Sequence, residues 1–305
     1  MSDTTVTAVG DGPREATSGQ SLGSLAARHG LRPAGRRPTL SAYVRALWRY
    51  RHFTVAYANG RLIASFTTAR LGRLWQLLNP IINAAVYYLI FGVILNTKGD
   101  IPNFIAYLCT GLFVFAFTQG VVAQGTSAVS GSLGLIRALY FPRASLPIAV
   151  TLTQFQNLLV SMLVLIGIVI ADGEPVTVEW LLLLPALLLQ SLFNVGLAMA
   201  MARLGGKVTD LRQLVPFVMR TWMYASGVLY SVNNFKEHLP PVLAEVMLAN
   251  PLLVYIELTR LALLETAPIA SSAPRLWLLG TGWAVLVAVG GFLYFWRGEQ
   301  EYGRG

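Results

Sequence analysis

Six long apolar runs constrain the fold of this chain more than any other feature. Arg220 is the one charged residue that they contain. The runs cover residues 74–95, 104–124, 146–171, 180–202, 214–232 and 276–296. A transmembrane α-helix needs about 20 mainly apolar residues, and a β-barrel would show short alternating strands instead. The sequence therefore predicts an all-α membrane protein with six transmembrane helices.

The placement of the basic residues predicts the orientation. Of 23 Lys and Arg residues, 18 lie in the segment before the first run, in loops 125–145 and 203–213, and after the last run. Loops 97–103, 172–179 and 233–275 hold four of the rest and eight of the 14 acids. Cytoplasmic loops carry the excess of Lys and Arg, so both termini are expected in the cytoplasm. The net charge of +9 is then a signal of topology and gives no reason to expect nucleic-acid binding.

Two segments precede the first run. Residues 1–40 are rich in small and polar residues, which predicts a disordered cytoplasmic tail. Residues 41–73 place apolar and aromatic side chains on one helical face and arginines on another, as in Val44, Leu47 and Trp48 against Arg45 and Arg49. This pattern is typical of an amphipathic helix at the membrane interface; a helix docked on a protein partner fits it equally well. Residues 298–305 are expected to form a short cytoplasmic tail.

The segment between the last two runs, 233–275, is itself apolar and is broken at Asn250-Pro251. A seventh span would bring Glu245, Glu257, Arg260 and a helix-breaking proline into lipid, which is costly. It would also place the C-terminus on the other side of the membrane. Two short re-entrant helices in the outer leaflet fit better, so we expect an even number of spans.

Polar and aromatic residues inside the runs are candidates for a substrate path. Gln190 and Asn194, four residues apart, are better explained by hydrogen bonding between helices. Arg220 either lines a conduit or extends to phosphates at the cytoplasmic surface, since an arginine in a span is costly. Aromatic faces at mid-depth could stack on sugar rings. The candidate conduit residues are Tyr87, Tyr88, Phe91, Arg220, Trp222, Tyr224 and Tyr230.

No catalytic or nucleotide-binding motif is found. The stretch Gly205-Gly206-Lys207 lacks the first glycine of a phosphate-binding loop, where Met201 stands, and its hydroxyl residue, where Val208 stands. The three histidines are dispersed, and none of the six runs contains Asp or Glu. Ion coupling therefore has no evident residue, and energy for transport would have to come from another chain.

Four segments in order carry a family resemblance. Leu71-Gly72-Arg73-Leu74-Trp75 with Pro80 resembles the approach to the first span of ABC-2 type permeases. Residues 134–143 and 207–212 are similar to their two cytoplasmic coupling segments, and 250–260 to their periplasmic helices. The resemblance covers about 41–297 and is strongest to the Wzm-like polysaccharide exporters of O-antigen and teichoic acid. Lys207 stands where arginine is commoner in the family, and Ser226-Gly227 replaces a frequent Ser-Pro.

This resemblance implies a homodimer of six-span subunits in the bacterial inner membrane, bound to two separately encoded ATPase subunits. The partner would bind ATP and Mg²⁺, and this chain would hold no cofactor or metal. The substrate implied is a polyprenyl-diphosphate-linked glycan, such as an O-antigen or a cell-wall galactan. The implied ATPase-coupling residues are Arg137, Tyr140, Phe141, Arg143, Lys207, Asp210 and Arg212. The implied periplasmic gate is Asn250, Pro251, Glu257 and Arg260.

Two other functions remain open on the sequence. The same architecture could export teichoic acid, or it could export a small drug or a lipid. A small drug or a lipid is favoured if a dimer has no continuous aromatic-lined channel. A membrane-embedded transferase would need a cluster of catalytic carboxylates, and the runs contain none.

Overall fold

The computed structural model describes residues 39–67, 70–72, 74–94, 103–231 and 240–302. By its contacts the chain divides into Met1–Arg37 and Pro38–Gly305, and the fold described here is that of the second unit. The predicted tail 1–40 lies outside the described residues except for its last two. Residues 68, 69 and 73 of the amphipathic segment and residues 303–305 of the C-terminal tail also lie outside them.

The described ranges are helical and contain no strand. The helices are α1 (Leu40–Arg49), α2 (Arg51–Thr67), α3 (Leu74–Tyr87), α4 (Phe104–Gly125), α5 (Leu133–Ala138), α6 (Ser145–Ala171), α7 (Leu183–Lys207), α8 (Leu211–Tyr224), α9 (Pro241–Leu248), α10 (Pro251–Leu263) and α11 (Ala273–Arg297). A π-helix, Tyr88–Ile94, continues α3, and 3-10 turns at Ser130–Ser132 and Val178–Leu182 precede α5 and α7.

Five of these helical segments are long and apolar enough to cross a membrane. They are Leu74–Ile94, Phe104–Gly125, Ser145–Ala171, Val178–Lys207 and Ala273–Arg297. The pair α9 and α10, bent by 66° at Asn250, would make a sixth if it were one span. The prediction of a multi-pass α-helical membrane protein is confirmed, and the chain breaks at Asn250-Pro251 as expected.

The predicted fifth span, 214–232, is not one continuous helix. Helix α8 has 14 residues and ends at Tyr224, and the chain then runs through turns to Tyr230. Gly227 has a φ of +60°, a left-handed conformation that glycine adopts without the steric cost of a Cβ. The Ser226-Gly227 pair is therefore the local reason for the break. The prediction of a continuous helix over 214–232 is wrong beyond Tyr224.

Two glycines bring α7 and α11 into backbone contact. A Cβ on Gly196 would overlap the carbonyl oxygen of Val287, and a Cβ on Gly291 would overlap the carbonyl oxygen of Gly196. Small residues at such crossings let helix backbones approach closely, and the resulting van der Waals contact helps helices to associate in lipid. These two positions fix the crossing of the fourth and last candidate spans.

Helix α4 lies at the centre of the bundle. It is the most buried of the candidate spans, and it packs against α6, α7, α8 and α10. Gln190 of α7 donates from Nε2 to the carbonyl oxygen of Val114 at 2.8 Å and to Oγ1 of Thr118 at 3.1 Å. Hydrogen bonding between helices, expected for Gln190 and Asn194, is thereby confirmed for Gln190 but not for Asn194, which is buried without a hydrogen-bond partner among the described residues.

The N-terminal helices lie along α6. Thr153 Oγ1 donates to the carbonyl oxygen of Ala58 at 3.2 Å, and Gln156 Nε2 donates to Asn59 Oδ1 at 2.6 Å. Tyr43 of α1 is buried in a cluster with Phe141 and Phe295. Residues 41–67 are thus helical and packed on the bundle, while Trp48 remains 70% exposed.

Replacing Gly291 with alanine should lower stability by about 1–3 kcal/mol, because overpacking a close contact forces the two backbones apart. The matched control is its neighbour Gly290, where a Cβ meets nothing within 4 Å. Thermal unfolding of the purified protein in detergent, followed by size-exclusion recovery, measures both. Equal melting temperatures for Gly291→Ala and Gly290→Ala would contradict the close approach.

Candidate functional site

A buried ion pair organises one end of the bundle. Arg260 of α10 has no exposed surface, and its Nη1 lies 2.9 Å from Oε1 of Glu257, one turn earlier in the same helix. The other carboxylate oxygen of Glu257 accepts from the backbone N–H of Ala270 at 2.8 Å. The charge that Arg260 brings into the protein is thus compensated by a carboxylate that is itself hydrogen-bonded.

Arg260 also joins two other parts of the chain, helix α4 and the turn after α8. Its Nη1 donates to the Tyr107 hydroxyl at 2.8 Å, and both Nη atoms donate to the carbonyl oxygen of Gly227 at 3.2 Å. Its Nη2 donates to the carbonyl oxygen of Val228 at 3.3 Å. The guanidinium carbon lies 3.4 Å from the centre of the Tyr107 ring. Arg260 therefore supplies donors to carbonyl groups that the broken end of α8 leaves without helical partners.

Asn250 makes a second junction with the end of α8. Its Oδ1 accepts from the backbone N–H of Leu252 at 3.1 Å and caps α10. The same oxygen accepts from Trp222 Nε1 at 3.0 Å. Its Nδ2 donates to the carbonyl oxygen of Ala225 at 2.9 Å and to Ser226 Oγ at 3.1 Å. Trp222, predicted to line a conduit, is half-buried and holds α8 to the bend between α9 and α10.

The opposite face of α8 is exposed. Val215 and Met219 are buried, whereas Phe217 is 72% exposed and Tyr224 is 53% exposed. Arg220 is exposed between them, and among the described residues its side chain has no hydrogen bond or ion pair. Tyr230, half-buried beyond the end of the helix, donates from its hydroxyl to the carbonyl oxygen of Tyr224 at 2.7 Å. Of the conduit candidates on this segment, Arg220 and Tyr224 are the ones most open to a ligand.

The conduit candidates of α3 lie where the helix changes type. The rings of Tyr87 and Phe91 stack with centroids 6.3 Å apart, and Tyr88 begins the π-helical turn. A Cβ on Gly92 would fall 2.7 Å from the Tyr88 ring, so the glycine makes room for that aromatic side chain. All three aromatic residues are half-buried. π-Helical turns inside α-helices are frequent at functional sites.

The first predicted coupling segment lies at the other end of the bundle, and its residues differ in how far they are exposed. Tyr140 is 93% exposed, whereas Phe141 is buried and its ring lies 4.8 Å from that of Phe53. Arg137, in the last turn of α5, is exposed. Phe141 therefore anchors the segment against α2 and leaves Tyr140 on the surface.

Arg143 belongs to a cluster that the sequence analysis missed. Its guanidinium donates to the backbone carbonyl of Glu299, and its backbone N–H donates to Glu299 Oε1 at 3.3 Å. Tyr43 donates from its hydroxyl to Glu299 Oε2 at 2.7 Å and accepts from the N–H of Ala144 at 3.1 Å. Burial raises the pKa of the Glu299 carboxyl, and the hydrogen bonds from Tyr43 and Arg143 offset only part of this effect. The cluster binds α1 and the C-terminal segment to the start of α6.

The second coupling segment contacts the turn before α5 and the C-terminal segment. Arg212 Nη2 donates to Ser130 Oγ at 2.6 Å, and Lys207 Nζ lies 3.4 Å from the Glu301 carboxylate. Asp210 is exposed and immediately precedes α8; its carboxylate has no partner among the described residues. The seven predicted coupling residues thus lie at one end of the bundle, and Arg143 and Phe141 are occupied by internal contacts.

Glu174 accepts hydrogen bonds from two other loops at the end of the bundle opposite the coupling segments. Its Oε1 accepts from Asn103 Nδ2 at 2.6 Å and from Thr266 Oγ1 at 3.2 Å, and its Oε2 accepts from the N–H of Glu265 at 3.1 Å. These residues come from three loops that the charge pattern assigned to one side of the membrane. Sequence signals for Glu174, Glu299 and Tyr43 were absent, because their partners lie far away along the chain.

No group of three or more His, Cys, Asp or Glu residues that could hold a metal ion occurs within the described ranges. The geometry is that of an α-helical multi-pass membrane protein with an exposed aromatic and basic helix face. The model of the ABC-2 type transporter family matches residues 54–264, which is more than half of the chain. The chain belongs to the ABC-2 type transporter family.

Named relatives come from polysaccharide systems. The O-antigen export system permease protein RfbA of Myxococcus xanthus is 29% identical over 194 residues, covering 64% of this chain and 74% of the relative. A protein of the same name from Klebsiella pneumoniae is 24% identical over 205 residues, covering 67% and 78%. The polysialic acid transport protein KpsM of Escherichia coli is 23% identical over 202 residues, covering 65% and 76%.

Replacing Arg260 with methionine should destabilise the protein by about 3–5 kcal/mol, because it leaves the buried Glu257 carboxylate unpaired. The double variant Arg260→Met, Glu257→Gln should recover part of this loss. Arg275→Met, which removes an exposed ion pair with Glu245, should cost no more than about 1 kcal/mol. Thermal unfolding in detergent compares the three. A single Arg260 variant as stable as the Arg275 control would show that the pair does not hold α10 in place.

Proposed function

We propose that this chain is the permease subunit of an ATP-driven exporter that moves a polyprenyl-diphosphate-linked polysaccharide across the cytoplasmic membrane. The observation that carries the proposal is its membership of the ABC-2 type transporter family together with relatives named for O-antigen export and polysialic acid transport. The exposed aromatic and basic face of α8 supports it, because a glycan needs a surface of this chemistry. No observation on the described residues favours a small drug as cargo.

The proposed functional unit is a homodimer. The span Leu74–Ile94 is the least buried of the five candidates, and α8 exposes Leu214, Phe217 and Val218. Both elements pack on α4, and both carry polar residues among the exposed apolar ones, such as Asn79 and Arg220. A second copy covering these faces would give an interface that is apolar at its rim and polar or aromatic along its axis.

A path at this interface would suit a polymer. A long glycan cannot be released and bound again as a whole, so the surface must let it slide without deep energy minima. Aromatic faces offer modest contact energy to each sugar ring and impose no register. Arg220, four residues before Tyr224 on α8, would attract the diphosphate that links the glycan to its lipid.

The energy is proposed to come from two partner ATPase subunits, which would bind ATP and Mg²⁺. Their docking surface would include Tyr140 and Asp210, which are exposed, and the segment from Lys207 to Arg212. Helix α8 begins directly after Asp210, so a shift of this segment would be transmitted to the helix that carries Arg220. Transport would then need no titratable group inside the spans.

The proposed orientation places both termini and the coupling segments in the cytoplasm. The loops with the basic excess meet at one end of the bundle through Arg143, Glu299 and Arg212, and the acidic loops meet at the other end around Glu174. With the cytoplasmic excess of Lys and Arg, this supports a location in the bacterial inner membrane. The bend at Asn250 and the pair of Glu257 with Arg260 would then face the periplasmic side as a gate.

Loss of this chain should cause its polyprenyl-diphosphate-linked glycan to accumulate at the cytoplasmic face, because synthesis would continue without export. Arg220→Ala should lower export about tenfold or more, since a hydrogen bond to a charged group contributes about 1.5–3 kcal/mol. Arg220→Lys should recover part of the loss. The measurement is the ratio of cytoplasmic to external glycan in cells that carry each variant.

Arg275→Ala is the matched control, because Arg275 is an exposed arginine at the other end of the bundle. Cysteines at 220 and 224 should react with aqueous reagents and cross-link between protomers, whereas cysteines at the buried positions 215 and 219 should not. Labelling of 220 and 224 only by reagents dissolved in lipid would contradict the conduit. Export unchanged after loss of the chain would contradict the function.

Tyr140→Ala and Asp210→Lys should lower the ATPase activity that the permease stimulates, without a change in thermal stability, because neither side chain packs on the rest of the chain. Arg143→Glu should instead lower the melting temperature, because it places a carboxylate beside Glu299. The control Val178→Ala changes another highly exposed residue (81%) at the opposite end. ATP hydrolysis and complex recovery measure coupling. Normal values for both Tyr140→Ala and Asp210→Lys would remove the docking assignment.

A further inference from the structure

An open apolar groove lies between the N-terminal helices and the bundle. It has a volume of about 530 Å³ and is lined by α1 and α2 on one side and by α6 and α7 on the other. Leu47 and Val55 form the first wall, and Leu152, Phe155 and Leu188 form the second. Apart from Arg51, both walls are mainly apolar. The hydroxyls of Thr54, Thr151 and Ser191 donate to backbone carbonyls four residues earlier, so the interior of the groove offers little to a polar ligand.

The depth of the groove matches one leaflet of a membrane. Its lining on α6 runs from Ile148 to Phe155, which are three and ten residues after the start of that helix. At about 1.5 Å per residue, this lining lies within the first 15 Å or so of α6. Half of the hydrocarbon layer of a bilayer is also about 15 Å thick. The groove therefore lies in the leaflet next to the coupling segments.

The lip of the groove is basic. Arg51 is the one charged residue among the described lining residues, and it is exposed. Its Nη1 donates to the carbonyl oxygen of Trp48 at 3.1 Å, and its guanidinium carbon lies 5.0 Å from the centre of the Trp48 ring. This arrangement holds the arginine beside an exposed tryptophan, and such aromatic residues prefer the headgroup level of a membrane.

The surroundings add to the positive charge. Arg45, Arg49 and His52 are exposed on the same two helices, and residues 39–67 contain no Asp or Glu. Basic residues next to a membrane attract anionic headgroups by about 1 kcal/mol each. The charge of the lip is thus complementary to a phosphate, and the apolar lining is complementary to an acyl chain.

We propose that this groove binds one anionic phospholipid of the adjacent leaflet. An acyl chain fills the space between α1–α2 and α6–α7, and the phosphate lies at Arg51. The lipid acts as a packing element that seats the N-terminal helices on the bundle. This site is separate from the proposed glycan path on α3 and α8, so it stands or falls independently of the exported cargo.

A photocross-linking experiment tests the site in the full-length protein. A diazirine amino acid of leucine's size is placed at position 152 inside the groove, or at the exposed position 159 on the same helix as a control. The protein is reconstituted in vesicles of equal parts phosphatidylglycerol and phosphatidylcholine, and the captured lipids are identified by mass spectrometry. We expect phosphatidylglycerol to be enriched about fivefold at 152, the equivalent of roughly one basic residue near the headgroup, and not at 159.

Two pairs of variants locate the contacts. Arg51→Ala should remove the enrichment at 152 and Arg51→Lys should keep it, with Arg275→Ala, at the opposite end of the bundle and outside the lining, as the control. Ser191→Phe should fill the groove and abolish lipid capture at 152, whereas Leu192→Phe, at an exposed neighbour that does not line it, should not. Each variant is first required to elute as native protein by size-exclusion chromatography.

Several results would overturn the proposal. Equal capture of both lipids at 152 and 159 would mean that position 152 contacts only the lipid that surrounds the protein, without a specific site. Capture of a peptide would show that a second copy or another protein occupies the groove. Displacement of phosphatidylglycerol by an equal amount of polyprenyl phosphate would assign the groove to a substrate lipid instead. Glycan export is not a readout here, so none of these results bears on the proposed function.

Discussion

The carbonyl groups of Gly227 and Val228 lie in buried turns beyond the end of α8, where a helix no longer provides donors and lipid offers no water. Arg260 donates to both of them and to Tyr107, and Glu257 compensates its charge. An unsatisfied backbone group in such surroundings costs several kcal/mol. The helix can therefore end inside the protein because the Arg260 guanidinium of α10 binds these carbonyl groups. The buried pair of Arg260 and Glu257 also fixes the relative positions of α4, α8 and α10.

Helix α8 connects the two ends of the molecule. It starts at the coupling segment that contains Asp210 and Arg212, and it ends at the junction formed by Asn250 and Arg260. Its 14 residues span about 21 Å at the usual rise per residue. One face of α8 is fixed by Val215 and Met219, and the other presents Arg220 and Tyr224. In the proposed exporter, a movement imposed at the coupling segment would act on this exposed face against a fixed opposite end.

The coupling end depends on contacts between segments that are distant along the chain. Glu299 joins Tyr43 of α1 to Arg143 before α6, and Phe141 packs on Phe53 of α2. The C-terminal segment is thus part of the structure that supports the proposed ATPase surface. The apolar groove beside α1 and α2 is the gap that these contacts leave, and a lipid in it would complete the packing of the N-terminal helices.

Local properties of the sequence determined much of the fold. The apolar length of the runs predicted six spans, and five of them are helices long and apolar enough to cross a membrane. The charge pattern sorted the loops into two sets, and Asn250-Pro251 marked a helix break. Each of these signals needs only neighbouring residues. The tertiary structure alone decided that Arg143 and Trp222 are held by internal hydrogen bonds, and that Glu174 and Glu299 are structural centres. Arg260 was predicted as a gate residue, yet its partners Tyr107 and Gly227 lie 153 and 33 residues away. Sequence spacing carries no information about such partners, since packing of the helices in three dimensions selects which polar groups meet.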